Sequence, residues 1–259
     1  MSKEYSHFHF YLLTSRLFLL YGAGMVLFLL NWPVNAANNT AKDIGPLAYN
    51  SMFQDSTKVV QQVTKLINLC KNLSNGFWME LPKKGAAPGV LVVRTYDAPF
   101  NALKKTLTSP KQENIFKSTL FHYSRDLEPS TLLDFLNKPN RILRFLSKQD
   151  VYGKYGTRFR YAMHSEFVKS PGWLMERDIL DGNAQRIKGL AGDLQFLAYF
   201  TIISSLSPDK TLRIVATWND AGGNIPLIGN IRAKPEDIRE GIEKGYKDVA
   251  DYLRATTIN

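Results

Sequence analysis

Three groups of residues have the types and spacing that chemistry requires. The first is Arg177-Asp178, inside Trp173-Leu-Met-Glu-Arg-Asp-Ile179, a run that reads as a strand. Alternation puts Arg177 on one face with Trp173, Met175 and Ile179, and Asp178 on the other. If the Arg177 face is inward, a charge enters an apolar space and needs a partner. That partner is either the polar head of a ligand, such as a phosphate gripped bidentately, or a carboxylate in a structural ion pair. A third reading turns this face outward. The second group, Ser207-Pro-Asp-Lys210, has the Ser-x-x-Lys spacing of some acyl-enzyme nucleophiles. It lies between two strand-like runs, where Ser, Pro and Asp are ordinary turn residues. The third is the histidines: beyond the N-terminal segment only His122 and His164 occur. Two histidines without cysteine or a carboxylate cluster do not make a metal site. There is no Gly-x-Ser-x-Gly and no phosphate-binding glycine loop. No catalytic residue, metal or cofactor is assigned.

The elements that must position these groups come from a chain of 259 residues, with 44% hydrophobic residues and a net charge of +10. Such a chain buries a sizeable core, and its charge favours polyanions, whether nucleic acid or an anionic membrane surface. The N-terminus narrows that choice. Lys3 and Arg16 precede an apolar run from Leu17 to Leu30, and Val34 and Ala36 have the spacing a signal peptidase prefers. Residues 1–36 read as a cleaved signal peptide or, counting Tyr11 to Leu30 together, as an uncleaved membrane anchor. Either places the rest outside the cytosol, periplasmic or secreted, and excludes nucleic acid as a partner. The basic excess stays with residues 37–259. The single cysteine, Cys70, falls on a helical apolar stripe with Val59, Val63, Leu66, Ile67 and Leu73, and reads as a buried apolar residue. With one cysteine there is no internal disulfide.

Residues 37–50 are polar and rich in Asn, Ala, Gly and Pro, and read as a linker. Ser51 to Leu73 reads as one helix. Phe77–Leu81 and Val90–Tyr96 read as strands, Phe100–Leu107 and Pro129–Asn137 as short helices, and 111–128 as a short helix plus an extended piece. Arg141–Gln149 and Thr157–Phe167 form a hairpin. In its second strand Phe159, Tyr161, Met163 and Phe167 alternate with Arg158, Arg160, His164 and Glu166. Trp173–Leu180 and Thr211–Trp218 follow as strands, with a turn at Asp181–Asn183; between them Arg186–Leu190 and Leu194–Ser205 read as two strands or as one with a bulge near Gly192. From Pro235 a helix places Ile238, Gly241, Ile242, Gly245, Val249, Tyr252 and Leu253 on one face. Its two glycines cost about 1 kcal/mol each against alanine, which makes sense if a ligand or a sheet approaches closely. Helices at both ends and about seven strands between them argue an antiparallel sheet in an α+β fold.

The strand around Arg177-Asp178 resembles one that carries an Arg-Asp pair in START lipid-transfer domains. Asp220-Ala-Gly-Gly-Asn-Ile-Pro-Leu-Ile-Gly-Asn230 resembles that family's loop before the last helix, and Asp97-Ala-Pro99 is similar to the strand-to-helix step of polyketide-cyclase-related proteins. The order of elements fits from Ser51 to Leu253, and 111–140 departs from the pattern. The resemblance implies a helix-grip fold over 51–259, a curved antiparallel sheet wrapped around the C-terminal helix, with a cavity between them for a lipid or other hydrophobic ligand. It implies cavity lining by Phe159, Tyr161, Met163, Met175, Arg177, Trp218, Ile225, Pro226, Ile238, Ile242, Gly245 and Val249, and a gate at Gly222, Gly223 and Asn224. Arg232 and Lys234, between gate and helix, are open to anionic lipid or to solvent. The expected function is binding, and transfer near a membrane, of one such ligand by a monomer. Two alternatives stand beside it: a cyclase- or hydrolase-like enzyme on the same scaffold, or a cell-envelope interaction module whose cavity is filled by side chains.

Overall fold

A computed structural model describes residues 42–139, 141–152, 157–188, 193–225 and 229–257. The N-terminal segment read as signal or anchor lies outside them, as does Pro226. Contacts divide the chain after Asp43, and the fold described here is the unit from Ile44 to Asn259.

The chain is helical over 42–53, designated α1, and again from Ser56 to Cys70, α2. Two expectations need correction here. Residues 42–50 are not linker: every fourth residue, Ile44, Ala48 and Met52, is fully buried, which is the period of a helix packed on one side. The helix read as Ser51–Leu73 is two helices broken at Gln54-Asp55, where the Asp55 carboxylate accepts the Thr57 amide at 2.8 Å and starts α2.

Strands β1 (Trp78–Lys84) and β2 (Ala87–Tyr96) form a hairpin, followed by α3 (Phe100–Leu107) and a single turn of 3₁₀ helix at Gln112–Asn114. Then come β3 (Leu120–Arg125), α4 (Pro129–Asn137), β4 (Ile142–Tyr152), β5 (Arg158–Ser170), β6 (Trp173–Lys188), β7 (Leu197–Ser207) and β8 (Lys210–Asn219). A short ribbon, β9 (Gly222–Ile225) and β10 (Gly229–Arg232), leads into α5 (Pro235–Thr257). The eight long strands make one antiparallel sheet in the order β1-β2-β8-β7-β6-β5-β4-β3. The turn read at Asp181–Asn183 lies within β6, where Gly182 takes φ +74° and the pairing with β5 shifts register. A glycine there lets a long strand bend without ending.

Both faces of this sheet are covered. On one, which we call the inner face, α5 packs Ile238, Ile242, Tyr246, Val249 and Leu253 against Val90, Val92, Val215, Ile203 and Phe167. On the outer face, α1 and α2 pack Ile44, Met52, Val59, Val63 and Leu66 against Leu91, Val93, Met175, Ile202, Ile214 and Trp218. The result is an α+β helix-grip architecture, as the resemblance implies. Trp218 shows how tightly the outer face is closed. Its indole stands on Gly89, where an added Cβ would lie 2.3 Å from Nε1, and its N–H donates to the Pro82 carbonyl at 2.9 Å.

Candidate functional site

Between α5 and the inner face lies a cavity of about 490 Å³. This is within the roughly 300–1,000 Å³ of sites that enclose small ligands. Its sheet wall is built from the side chains that alternation sends inward: Gln149 and Val151 of β4, Phe159 and Tyr161 of β5, Glu176 of β6, Tyr199 and Thr201 of β7, and Arg213, Val215 and Thr217 of β8. Leu107, Gln112, Phe116 and Leu120 close one side, and Gly222 and Gly223 of the ribbon another. The helix contributes Ile238, Gly241, Ile242 and Gly245. Exposed Ser118, Tyr152, Arg232 and Lys244 stand at the rim.

The helix glycines now have a physical account. A Cβ on Gly241 would meet nothing within 4 Å, and one on Gly245 would touch only the Phe116 ring at 3.8 Å. Neither is pressed against a strand. Both line the cavity, Gly241 at its exposed mouth and Gly245 half-buried.

The inner wall carries a buried polar cluster. Glu176 and Asp178 share the inner face of β6, Glu176 opposite Thr201 and Asp178 opposite Tyr199. The Ser165 hydroxyl bonds the Ser147 hydroxyl at 2.9 Å and also donates to Asp178. The Gln149 amide donates to the Tyr199 hydroxyl at 3.0 Å. Burial pushes Glu176 up to about 8, reinforced by the Asp178 charge and opposed by Arg125 and Arg213. Burial likewise pushes Asp178 up to about 7, partly offset by the Ser165 and Tyr199 hydroxyls and by Arg125. The wall's cation, Arg213, is covered by the Phe116 and Tyr246 rings at 5.6 and 4.9 Å from their centroids.

The predicted lining residues divide. Phe159, Tyr161, Ile238, Ile242, Gly245 and the gate residues Gly222 and Gly223 line the cavity. Met175, Arg177 and Trp218 do not: they lie on the outer face under α1 and α2, so the inward reading of that alternation is corrected. The phase was right and the side was wrong, because a sheet covered on both faces has no wet face to tell the two apart. Met163 is buried in a satellite cluster with Leu194 and Leu197, and Val249 in the helix–sheet core; neither reaches the cavity lining. Ile225 and Asn224 are described for backbone only, in β9. The predicted gate loop is therefore a ribbon, tied at its base by Gly222 N–H to Asp193 O at 2.9 Å and by Ala233 N–H to Ala221 O at 2.7 Å. Arg232 is held by Asp193 at 3.2 Å.

Arg177 is a structural ion pair. Its Nε donates to Glu166 Oε2 at 2.6 Å, and Nη2 donates to the Ser56 hydroxyl at 2.8 Å. Nη1 reaches the carbonyls of Ser51, Met52 and Gln54 at 3.2, 3.2 and 2.9 Å. A cation thus sits at the C-terminal end of α1, where the helix dipole favours it. Glu166 also accepts from Ser56 at 2.6 Å and Arg144 at 3.1 Å. The guanidinium has no donor left for a ligand.

Sequence reasoning missed Glu176, Tyr199, Arg213, Gln149 and Gln112 as wall residues, and Tyr246 as a core residue of α5. Tyr246 follows Ile242 by one helical turn, so its place was legible; its hydroxyl lies 3.0 Å from both the Val92 and Arg213 carbonyls. Among the described residues no group of His, Cys, Asp and Glu is placed to hold a metal ion. No described helix is long and apolar enough to cross a membrane. Cys70 is buried, and burial pushes its thiol up to about 12.

The fold is START-like, and comparison with solved structures returns proteins of that kind. A START superfamily protein from Mycobacterium smegmatis is 11% identical, covering 64% of this chain and 98% of that one, with a TM-score of 0.42. Human StAR-related lipid transfer protein 5 is 7% identical, covering 78% and 98%, at 0.46. Human STARD10 is 10% identical, covering 77% and 82%, at 0.45. No family model and no curated protein matches the chain.

Proposed function

We propose that the protein binds one lipid or other amphiphilic molecule in the cavity beneath α5. The observation that carries this reading is the cavity itself, with Ile238, Ile242 and the two glycines Gly241 and Gly245 in its helix wall. The chiefly apolar lining of Phe159, Val151, Val215, Ile238 and Ile242 takes an apolar body, and the Glu176 end takes a polar one. Exchange occurs past the Gly222-Gly223 ribbon. The N-terminal apolar run supports export, and the net charge of +10 supports work near an anionic membrane surface. Transfer of the ligand between membranes is the further step of the same proposal. The test is solvent extraction of the purified protein followed by mass spectrometry, together with competition by a lipid panel for a neutral fluorescent probe. A stoichiometric amphiphile and saturable competition are expected; an empty protein that no lipid engages would refute the reading.

The polar wall keeps one alternative in view, a cyclase- or hydrolase-like enzyme. Glu176, buried in the cavity wall with its carboxyl pushed up by that burial, has the character of a general acid or base. Chemical conversion of an added ligand, lost in Glu176→Gln, would favour that reading. An interaction module without a ligand has less support, since it needs a cavity filled by side chains.

A further inference from the structure

The cavity does not run the length of α5. Its helix wall extends from Asp237 to Gly245, and among the described residues none of α5 beyond Gly245 lines it. The next residue, Tyr246, is buried, and its hydroxyl lies 3.0 Å from both the Val92 and Arg213 carbonyls, on the neighbouring strands β2 and β8. The Tyr246 ring stacks on Tyr96 at 6.0 Å and covers the Arg213 guanidinium at 4.9 Å. Phe116 covers the same guanidinium at 5.6 Å. Arg213 and Phe116 both line the cavity, so Tyr246 stands directly behind its wall. From Tyr246 to Leu253 the helix packs on Val90, Val92 and Phe167.

Resting on the binding reading above, we infer that the Tyr246 and Phe116 rings form a stop that limits ligand length, and that the protein takes single-chain amphiphiles in preference to two-chain lipids. Each methylene that enters the cavity gains about fourfold in affinity. A methylene that cannot pass the stop stays outside the mouth and gains nothing. Affinity therefore climbs with chain length and levels off at the length that reaches the rings. Tyr246 is not free to swing aside, because its hydroxyl would lose both carbonyls and be left unpaired in a buried place. A cavity of about 490 Å³ holds one drug-sized body, and the second chain of a phospholipid finds no room beside the first.

The experiment uses the full chain in a mild detergent, with a neutral solvatochromic dye as probe. Its competitors are a series of primary alcohols from hexyl to octadecyl and a two-chain phosphatidylcholine, each corrected for its own partition into the detergent. Potency should climb with alcohol length and level off before the longest chain, and the phosphatidylcholine should displace the dye at least about tenfold less well than the best alcohol. In Tyr246→Ala and in Phe116→Ala, each checked for folding by circular dichroism, the break should move to a longer chain. An alcohol just beyond the wild-type break should then gain about tenfold, while the shortest alcohols are unaffected. Tyr246→Phe keeps the ring and should leave the break in place. If Tyr246→Ala does not fold, Phe116→Ala decides by the same criterion. Potency that rises to the longest chain without a break overturns the inference. So does a break that the folded alanine variants leave unmoved, or a phosphatidylcholine that matches the best alcohol. If the dye and every competitor fail to bind, it is the ligand-binding reading itself that falls.

Discussion

The two faces of the sheet each bury charged groups, and they treat them differently. On the outer face, Arg177 and Glu166 lie under the α1–α2 corner with every guanidinium nitrogen engaged. On the inner face, Glu176 opens onto a cavity, with Asp178 buried beside it. Adjacent residues on one strand thus belong to different tasks. A buried charge that is fully paired holds structure together, whereas a buried carboxyl on a cavity wall can meet what enters that cavity.

The contrast can be broken from the outer side first. Arg177→Leu leaves Glu166 buried against Ser56 without its main counter-charge. It should cost about 3–5 kcal/mol of stability, read by urea denaturation, while the folded fraction keeps its affinity for the dye. Weaker dye binding at unchanged stability would mean that Arg177 serves the ligand after all.

Gly89→Ala tests closure of the same face. The added Cβ collides with the Trp218 indole and breaks its bond to Pro82, so a loss of about 2–3 kcal/mol is expected. Ligand affinity should again stay unchanged, because Trp218 faces away from the cavity.

On the inner face the signature is pH dependence. A carboxyl whose pKa is raised on folding binds more protons folded than unfolded, so stability falls as pH rises from the unfolded value to the folded one. For Glu176 that window runs from about 4.5 to about 8, and for Asp178 from about 3.8 to about 7. Thermal midpoints should therefore decline across pH 5 to 8, and Glu176→Gln should flatten the decline and gain about 2 kcal/mol near pH 8.

Tyr246→Phe is the mildest probe. It removes the hydroxyl between the Val92 and Arg213 carbonyls and should cost about 1 kcal/mol, by the same denaturation measurement.

How much of this was legible in the sequence follows from the same two-sidedness. The alternation of β5 marks Phe159 and Tyr161 as one face, and they do line the cavity. In β6 and β8 both phases are largely buried, so Trp173-Met175-Arg177 and Leu212-Ile214-Trp218 read as inward when they are outward. The more polar phase, with Glu176, Arg213 and Thr217, is the one that meets the cavity. The signal that could have shown this lay in residues 42–53, where the spacing of Ile44, Ala48 and Met52 announces a helix that composition disguised as linker. With two helices available before the sheet, both faces would have been expected to be covered. The C-terminal helix was legible because its period is unambiguous, and its glycines marked a face that either a sheet or a ligand could approach.

Gly241 gives the most direct measurement of the central claim. Gly241→Leu adds a bulky side chain at the mouth of the cavity that Gly241 lines and, as a helix residue, should hold or raise stability by about 0.5–1 kcal/mol. Titration of the neutral dye into wild type and variant is the decisive comparison. The cavity account predicts affinity at least about tenfold weaker in the variant with an equal or higher thermal midpoint. Unchanged affinity in a folded Gly241→Leu protein would contradict it.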